Sequence, residues 1–250
     1  MKRETVTSAR NPLLVHLKKL LAARSYREAC GEFAADGTKL LEEAAKWYPG
    51  LETVVVQTGV ELCPLPEHVR VVEIPESLMR SVSQMEAPQG AIFICRLPEA
   101  RPAALCPGTL LLDGIQDPGN LGTILRTADA LEVPVVLLDG CADAYNPKTV
   151  RATMGAVFRT QPVRMTRAEA VQSCRAAGIP LLATAMSADA VDLRKKNLSG
   201  CAVVIGSEGR GVSAELFAAA DGKIIIPMNP RCESLNAAAA ATIVLWQMKC

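Results

Sequence analysis

Two rhythms of apolar and polar positions divide this chain. In the first hundred residues, Leu13, Leu14, Leu17, Leu20 and Leu21 recur at helical spacing after Asn11-Pro12, a pair suited to an N-cap and first-turn proline. Thr38–Trp47 predicts a second helix with Leu40, Leu41, Ala44 and Ala45 inward, and Pro75–Ser83 a short third one. Between them Glu32–Ala35, Thr53–Gln57, Val69–Ile74 and Gly90–Cys95 read as strands, together a small α/β sandwich. Pro98–Gly108 holds three prolines and no apolar period, which predicts a linker.

Beyond Gly108 the rhythm becomes regular. Strands are predicted over Thr109–Leu112, Val133–Leu138, Gln161–Met165, Ile179–Ala185, Ala202–Ile205 and Lys223–Ile226. Helices over Asn120–Glu132, Pro147–Phe158, Arg167–Ala177 and Ala214–Ala220 alternate with them, and Ser234 is a candidate N-cap for a last, alanine-rich helix. Such alternation implies a mostly parallel sheet covered on both faces. The expected division is therefore a front domain over 1–98, a linker over 99–108 and a second domain over 109–250.

Composition narrows the class. Half of the 250 residues are apolar and the net charge is +1, so no partner follows from charge alone. The distribution is uneven, however: residues 1–27 carry seven Lys/Arg (among them Lys18, Lys19, Arg24 and Arg27) against Glu4, which fits either a solvated helix face or a nucleic-acid footprint. Nine cysteines without a CxxC pair and only two isolated histidines, His16 and His68, argue against a tetrahedral metal site. The odd cysteine count and the absence of an apolar leader fit reduced thiols in a soluble, cytoplasmic protein. The longest apolar run, within Leu235–Trp246, is too short to span a bilayer.

In a parallel sheet, ligands bind beyond the carboxyl ends of the strands. Three strand ends carry dense polar loops: Asp113–Arg126, Gly206–Gly211 and Pro227–Asn236. Each alone also reads as a tight turn or a helix cap. One alternative is a nicotinamide oxidoreductase, since Gly119 and Gly122 follow a strand and Asp139 ends the next. The segment is D-P-G-N-L-G, though, not G-x-G-x-x-G.

Taken together, Asn120-Leu-Gly122-Thr-Ile-Leu-Arg126, Ile205-Gly206-Ser-Glu208-Gly209 and Ile226-Pro227-Met228 followed by Ser234-Leu235-Asn236 resemble the three motifs of the SpoU-type (TrmH-like) RNA ribose 2′-O-methyltransferases of the SPOUT class. Asn146-Pro147-Lys148 and Val150–Ala156 fit as well, so the resemblance covers about 108–250. The front third resembles the family's L30e-like RNA-binding extension, with Asp36-Gly37 where Glu-Gly is usual. The resemblance implies a C-terminal trefoil knot, which default topology rules would not give. It also implies S-adenosylmethionine as methyl donor and a homodimer whose active site uses both subunits. A catalytically dead RNA-binding relative is the remaining alternative.

Carried over by residue, the resemblance makes Thr184, Gly206, Ile226 and Leu235 the donor-binding positions. Arg126, Asn120, Glu208, Ser234 and Asn236 become the catalytic set. Arg126 is the residue often proposed to activate the 2′-hydroxyl, but a guanidinium is a poor base, so a relay through a neighbouring RNA phosphate oriented by Arg126 is the expectation. Asn120 would orient Arg126 or the ribose, and Glu208 would pair with Arg126. Lys148, Arg151 and Arg210 join Lys18, Lys19 and Arg24 as candidate RNA phosphate contacts. The basic first helix and the L30e-like domain favour ribosomal over transfer RNA as substrate.

Overall fold

The computed structural model describes residues 3–99 and 105–250; Met1, Lys2 and positions 100–104 of the expected linker lie outside the described residues. In chain order the elements are β1 (Arg3–Thr5), α1 (Pro12–Ala22), α2 (Arg24–Cys30), β2 (Glu32–Asp36), α3 (Thr38–Trp47), β3 (Leu51–Gln57), β4 (Arg70–Ile74), α4 (Glu76–Val82) and β5 (Ala91–Arg96). Then follow β6 (Leu110–Asp113), α5 (Pro118–Ala130), β7 (Val135–Leu137), α6 (Pro147–Thr153), α7 (Ala156–Arg159), β8 (Val163–Arg164), α8 (Arg167–Ala177) and β9 (Leu181–Thr184). The last are β10 (Val191–Asp192), β11 (Ala202–Gly206), α9 (Ala214–Ala219), β12 (Gly222–Ile225) and α10 (Ala237–Lys249).

These elements form two compact units. The first holds a sheet of order β1-β4-β3-β5-β2, in which β1, β4 and β3 run parallel and β5 and β2 pair antiparallel. Asn11 Oδ1 accepts from Leu13 N at 2.9 Å and opens α1 as its sequence predicts. Leu14, Leu17 and Leu20 of α1 and Met79 of α4 form one buried cluster with Val55, Val72 and Ile92 of the sheet. Alternate strand positions point the other way, so Val54 and Phe93 join Leu40, Leu41 and Ala44 of α3 in a second cluster.

That second cluster is completed from far along the chain. Tyr145–Arg159 packs with the first unit, not with the residues flanking it in sequence. Val150, Val157 and Phe158 are buried in the cluster, and the Phe158 ring stacks on Phe33 at 6.3 Å and meets Tyr48 edge-on at 5.7 Å. The single helix predicted over Pro147–Phe158 is broken at Met154 (φ 50°) and Gly155 (φ 93°). Gly155 is needed twice over there: its backbone is left-handed, and a Cβ would come within 2.6 Å of Glu43 Cγ. Truncating Phe158, only 1% exposed, to alanine should therefore destabilise the first unit by about 3–5 kcal/mol, measured by chemical denaturation.

The second unit is built on a seven-stranded sheet of order β10-β12-β9-β11-β6-β7-β8, parallel throughout. This is the parallel α/β sheet that the strand–helix alternation predicts. Its core includes Leu111, Val136, Ala183 and Val204 from the strands with Ala170, Cys174 and Leu216 from α8 and α9. β6, β9, β11 and β12 end at Asp113, Thr184, Gly206 and Ile225, so the three polar loops leave the same edge of the sheet.

Candidate active site

The loop after β11 folds back on itself. Ser207 N donates to Gly211 O at 3.1 Å and Gly211 N to Ser207 O at 2.9 Å, closing a five-residue turn over Gly206. A Cβ on Gly206 would lie 1.9 Å from the Gly211 carbonyl carbon, so this position accepts only glycine. The close backbone approach expected at Gly206 is thus made by its own loop. Buried Asp113 anchors the far end: its Oδ2 accepts from Ser213 N at 2.7 Å and its Oδ1 from Arg167 Nε at 2.8 Å. Asp113 and Arg167 were not among the candidate residues; an aspartate ending an apolar strand and an arginine opening a helix are the faint signals that marked them.

Between this turn, the end of β9 and the loop after β12 lies a cavity of about 500 Å³, within the size range of small-ligand sites. Thr184, Gly206, Ile226 and Leu235, the four donor-binding candidates, all line it, as do Ser234, Glu208 and Arg210. Met228 of the third motif and Met186, which lies outside all three motifs, add adaptable apolar wall. The Thr184 hydroxyl donates to Val204 O at 3.0 Å, so it ties β9 to β11.

Asn120 and Asn236 meet at this edge. α5 is capped by Asp117, whose Oδ1 accepts from Asn120 N at 2.8 Å, leaving the Asn120 side chain for other work. The last helix is capped by Asn236, not Ser234: Asn236 Oδ1 accepts from Ala238 N at 2.9 Å and Ala239 N at 3.3 Å. Asn236 Nδ2 donates to Asn120 Oδ1 at 3.0 Å, and Asn120 Nδ2 donates to Glu208 Oε1 at 2.5 Å. One side-chain hydrogen-bond chain therefore links all three motif loops.

The expected Glu208–Arg126 pair is not formed; Glu208 Oε1 accepts from the Asn120 amide instead. Arg126, two turns into α5, is exposed and has no hydrogen-bond or ion-pair partner among the described residues. It does not line the cavity of its own chain.

The remaining candidates lie in the first unit. Lys18, Lys19 and Arg24 are exposed, and Arg24 pairs with Glu28 at 2.7 Å. Arg27, counted in the basic excess, is 2% exposed and its Nη1 donates to Leu20 O. Lys148 is exposed on α6. Arg151 is half-buried and turned toward Asp36; burial pushes the Asp36 carboxyl above the usual aspartate range, while Ser83 and Arg151 pull it back. His16 is not isolated: it meets Tyr26 Oη at 3.0 Å and Glu32 Oε2 at 2.8 Å, with Cys30 close enough that the three metal-type donors lie within 4.8 Å of one another.

The nicotinamide alternative fails on geometry. A pyrophosphate needs the free N–H groups of the first helix start, yet the Asp117 carboxylate caps α5. Asp139, the would-be ribose acid, instead accepts from Arg167 N at 3.2 Å.

Against known proteins, residues 107–246 match the SpoU rRNA Methylase family. The chain belongs to that family. Residues 11–92 of this methylase match the MRM3-like substrate binding domain. It is 33% identical to the 23S rRNA (guanosine(2553)-2′-O)-methyltransferase RlmP of Bacillus subtilis, over 98% of each chain. It is 30% identical to the 23S rRNA (uridine(2479)-2′-O)-methyltransferase of Streptomyces viridochromogenes, over 96% of this chain and 90% of that one. The AdoMet-bound rRNA methyltransferase structure from Sinorhizobium meliloti superposes with a TM-score of 0.86 at 30% identity, covering 99% and 97%. The fold of this methylase is accordingly the SPOUT α/β fold with a separate N-terminal domain.

Proposed function

We propose that this methylase transfers the methyl group of S-adenosylmethionine to a ribose 2′-hydroxyl of ribosomal RNA. The observation that carries the reading is the joining of the three motif loops, through Asn236, Asn120 and Glu208, beside an apolar cavity. The cavity suits the donor. Ile226, Leu235 and Met228 offer a flat apolar slot for an adenine. When bound, the donor supplies an electrophilic methyl carbon. The chain's own residues hold it, align the ribose oxygen in line, and exclude water.

The first unit, together with Arg210 at the cavity, is assigned to RNA. Lys18, Lys19 and Arg24 on its surface and Lys148 on α6 are the phosphate contacts, with Arg151 positioned beside Asp36. Charge reversal probes this better than truncation, since removing residues up to Glu99 would uncover Val150, Val157 and Phe158. Lys18→Glu with Lys19→Glu should weaken RNA binding by about tenfold or more at low salt and flatten its salt dependence. Calorimetric donor affinity should stay unchanged; an unaltered RNA affinity would refute the assignment.

The working form is a homodimer. Ile243 (41% exposed) and Trp246 (63%) lie on α10, which packs on α5, and together they offer an apolar face to a second copy. Arg126, on α5 and outside its own cavity, is then available to the partner's site. Trp246→Glu should shift sedimentation toward monomer and lower methylation; an intact dimer would place the interface elsewhere. The interleaved strand order and the return of α10 onto α5 support a C-terminal trefoil knot. Transfer is assigned without a metal. Among the described residues no helix is long and apolar enough to cross a membrane, and an rRNA substrate supports a cytoplasmic location.

The RNA is tested by mapping 2′-O-methyl groups in a strain lacking this gene, with and without the gene restored. Loss of one ribosomal site is expected. Loss confined to transfer RNA would move the substrate there. The relatives modify guanosine and uridine respectively, so the target base is not carried over.

A further inference from the structure

The chain of amides at the site has a direction. Backbone N–H groups only donate, so the start of α10 forces Asn236 to present its oxygen to Ala238 and Ala239 and its nitrogen outward. Asn120 must then turn its oxygen to Asn236 and its nitrogen to Glu208. The sequence of donations ends on a carboxyl oxygen, Glu208 Oε1, which accepts. Glu208 lines the donor cavity, and Oε2 has no hydrogen-bond partner among the described residues. The other charged side chains lining this cavity are Arg210, on the same loop, and Glu233, before α10; neither is bonded to Glu208. Capping alone explains Asn236 but not the second amide, and an ion pair does not explain Glu208, which has no cation within bonding range among the described residues.

We propose that Glu208 accepts the proton of the 2′-hydroxyl during methyl transfer, and that Asn236 and Asn120 are positioning residues which hold its carboxylate aimed. This rests on the reading of the cavity as the donor site. The 2′-oxygen bonds to the methyl carbon as the carbon–sulfur bond breaks, and that bond's electron pair returns to sulfur, leaving a neutral thioether. The 2′-O–H bond breaks and its proton passes to Oε2, giving a neutral carboxylic acid that reionises in water once product leaves. Arg126 stays charged throughout and cannot take this proton; it aligns ribose and phosphate.

Glu208→Gln keeps an acceptor for the Asn120 amide but cannot take a proton. With in vitro transcribed ribosomal RNA and saturating donor, its single-turnover rate should fall by about 10²-fold or more while calorimetric donor affinity stays within about threefold. Asn236→Asp still caps α10 but cannot donate, so the Asn120 amide should flip toward the new carboxylate and turn its oxygen on Glu208. The Asn120 side-chain ¹⁵N amide resonance should move and the rate should fall by about tenfold or more, with the melting temperature held. A Glu208→Gln rate within about threefold of wild type would overturn the proposal. So would loss of donor binding in that variant, which would make Glu208 a donor ligand, or an unmoved amide resonance in Asn236→Asp. A wild-type enzyme that binds the donor yet methylates no ribosomal RNA would instead overturn the substrate reading.

Discussion

Arg126→Ala is expected to lower single-turnover methylation by about 10²-fold or more while leaving fold and donor affinity intact. The guanidinium is exposed, has no partner among the described residues, and lies outside the cavity that would hold the donor. Losing it removes no ion pair, so it should cost almost nothing in stability. Helical side chains reach back toward the start of their helix, and the start of α5 is the end that carries Asn120. Arg126→Lys sharpens the test, because an ammonium keeps the charge but not the planar two-pronged contact with a phosphate. Near-wild-type rates in both variants, with RNA and donor saturating, would remove Arg126 from the mechanism.

The second large effect is expected from Leu235→Arg, which should abolish measurable donor binding. Leu235 is half-buried, lines the cavity opposite the 206–211 turn, and directly precedes the Asn236 cap. An arginine there brings a cation into an apolar slot built for a cationic donor, with desolvation and like-charge repulsion acting together. The variant should still melt cooperatively near the wild-type temperature, since α10 keeps its cap and its buried Val244, Leu245 and Met248. Calorimetry showing wild-type donor affinity would place the donor elsewhere.

Much of the architecture was legible in the sequence, and the reasons are local. α3 and α8 begin and end where they were expected because breakers flank them: Gly37 precedes α3, and Gly178 closes α8 in the left-handed region. The elements that escaped notice have no period to read. β1 is three polar residues recruited by its pairing with β4, and α2 (RSYREAC) has no apolar stripe. At the site the residue types and the cavity walls were legible, but the pairings were not. Asn120 and Glu208 are 88 positions apart, and nothing along the chain distinguishes a Glu208–Asn120 bond from the expected Glu208–Arg126 pair. The caps shifted for a similar reason: Asp117 and Asn120, like Ser234 and Asn236, are equally good capping types, and only backbone geometry chooses between them. Periodicity identified the helical segment after Pro147 as buried, but it could not say which sheet would bury it.

That last feature bears on how the chain is made. The first unit cannot close its second cluster until Val150, Val157 and Phe158 exist, and about sixty residues of the polypeptide separate Glu99 from the end of α7. At a synthesis rate of about 5–20 residues per second, the sheet built from β1 to β5 waits roughly 3–12 s with one apolar face unfinished. The first unit is thus complete only as its last strap arrives, and by then β6, α5 and β7 of the second unit have already been made. Folding of the two units is interlocked in time as the chain emerges.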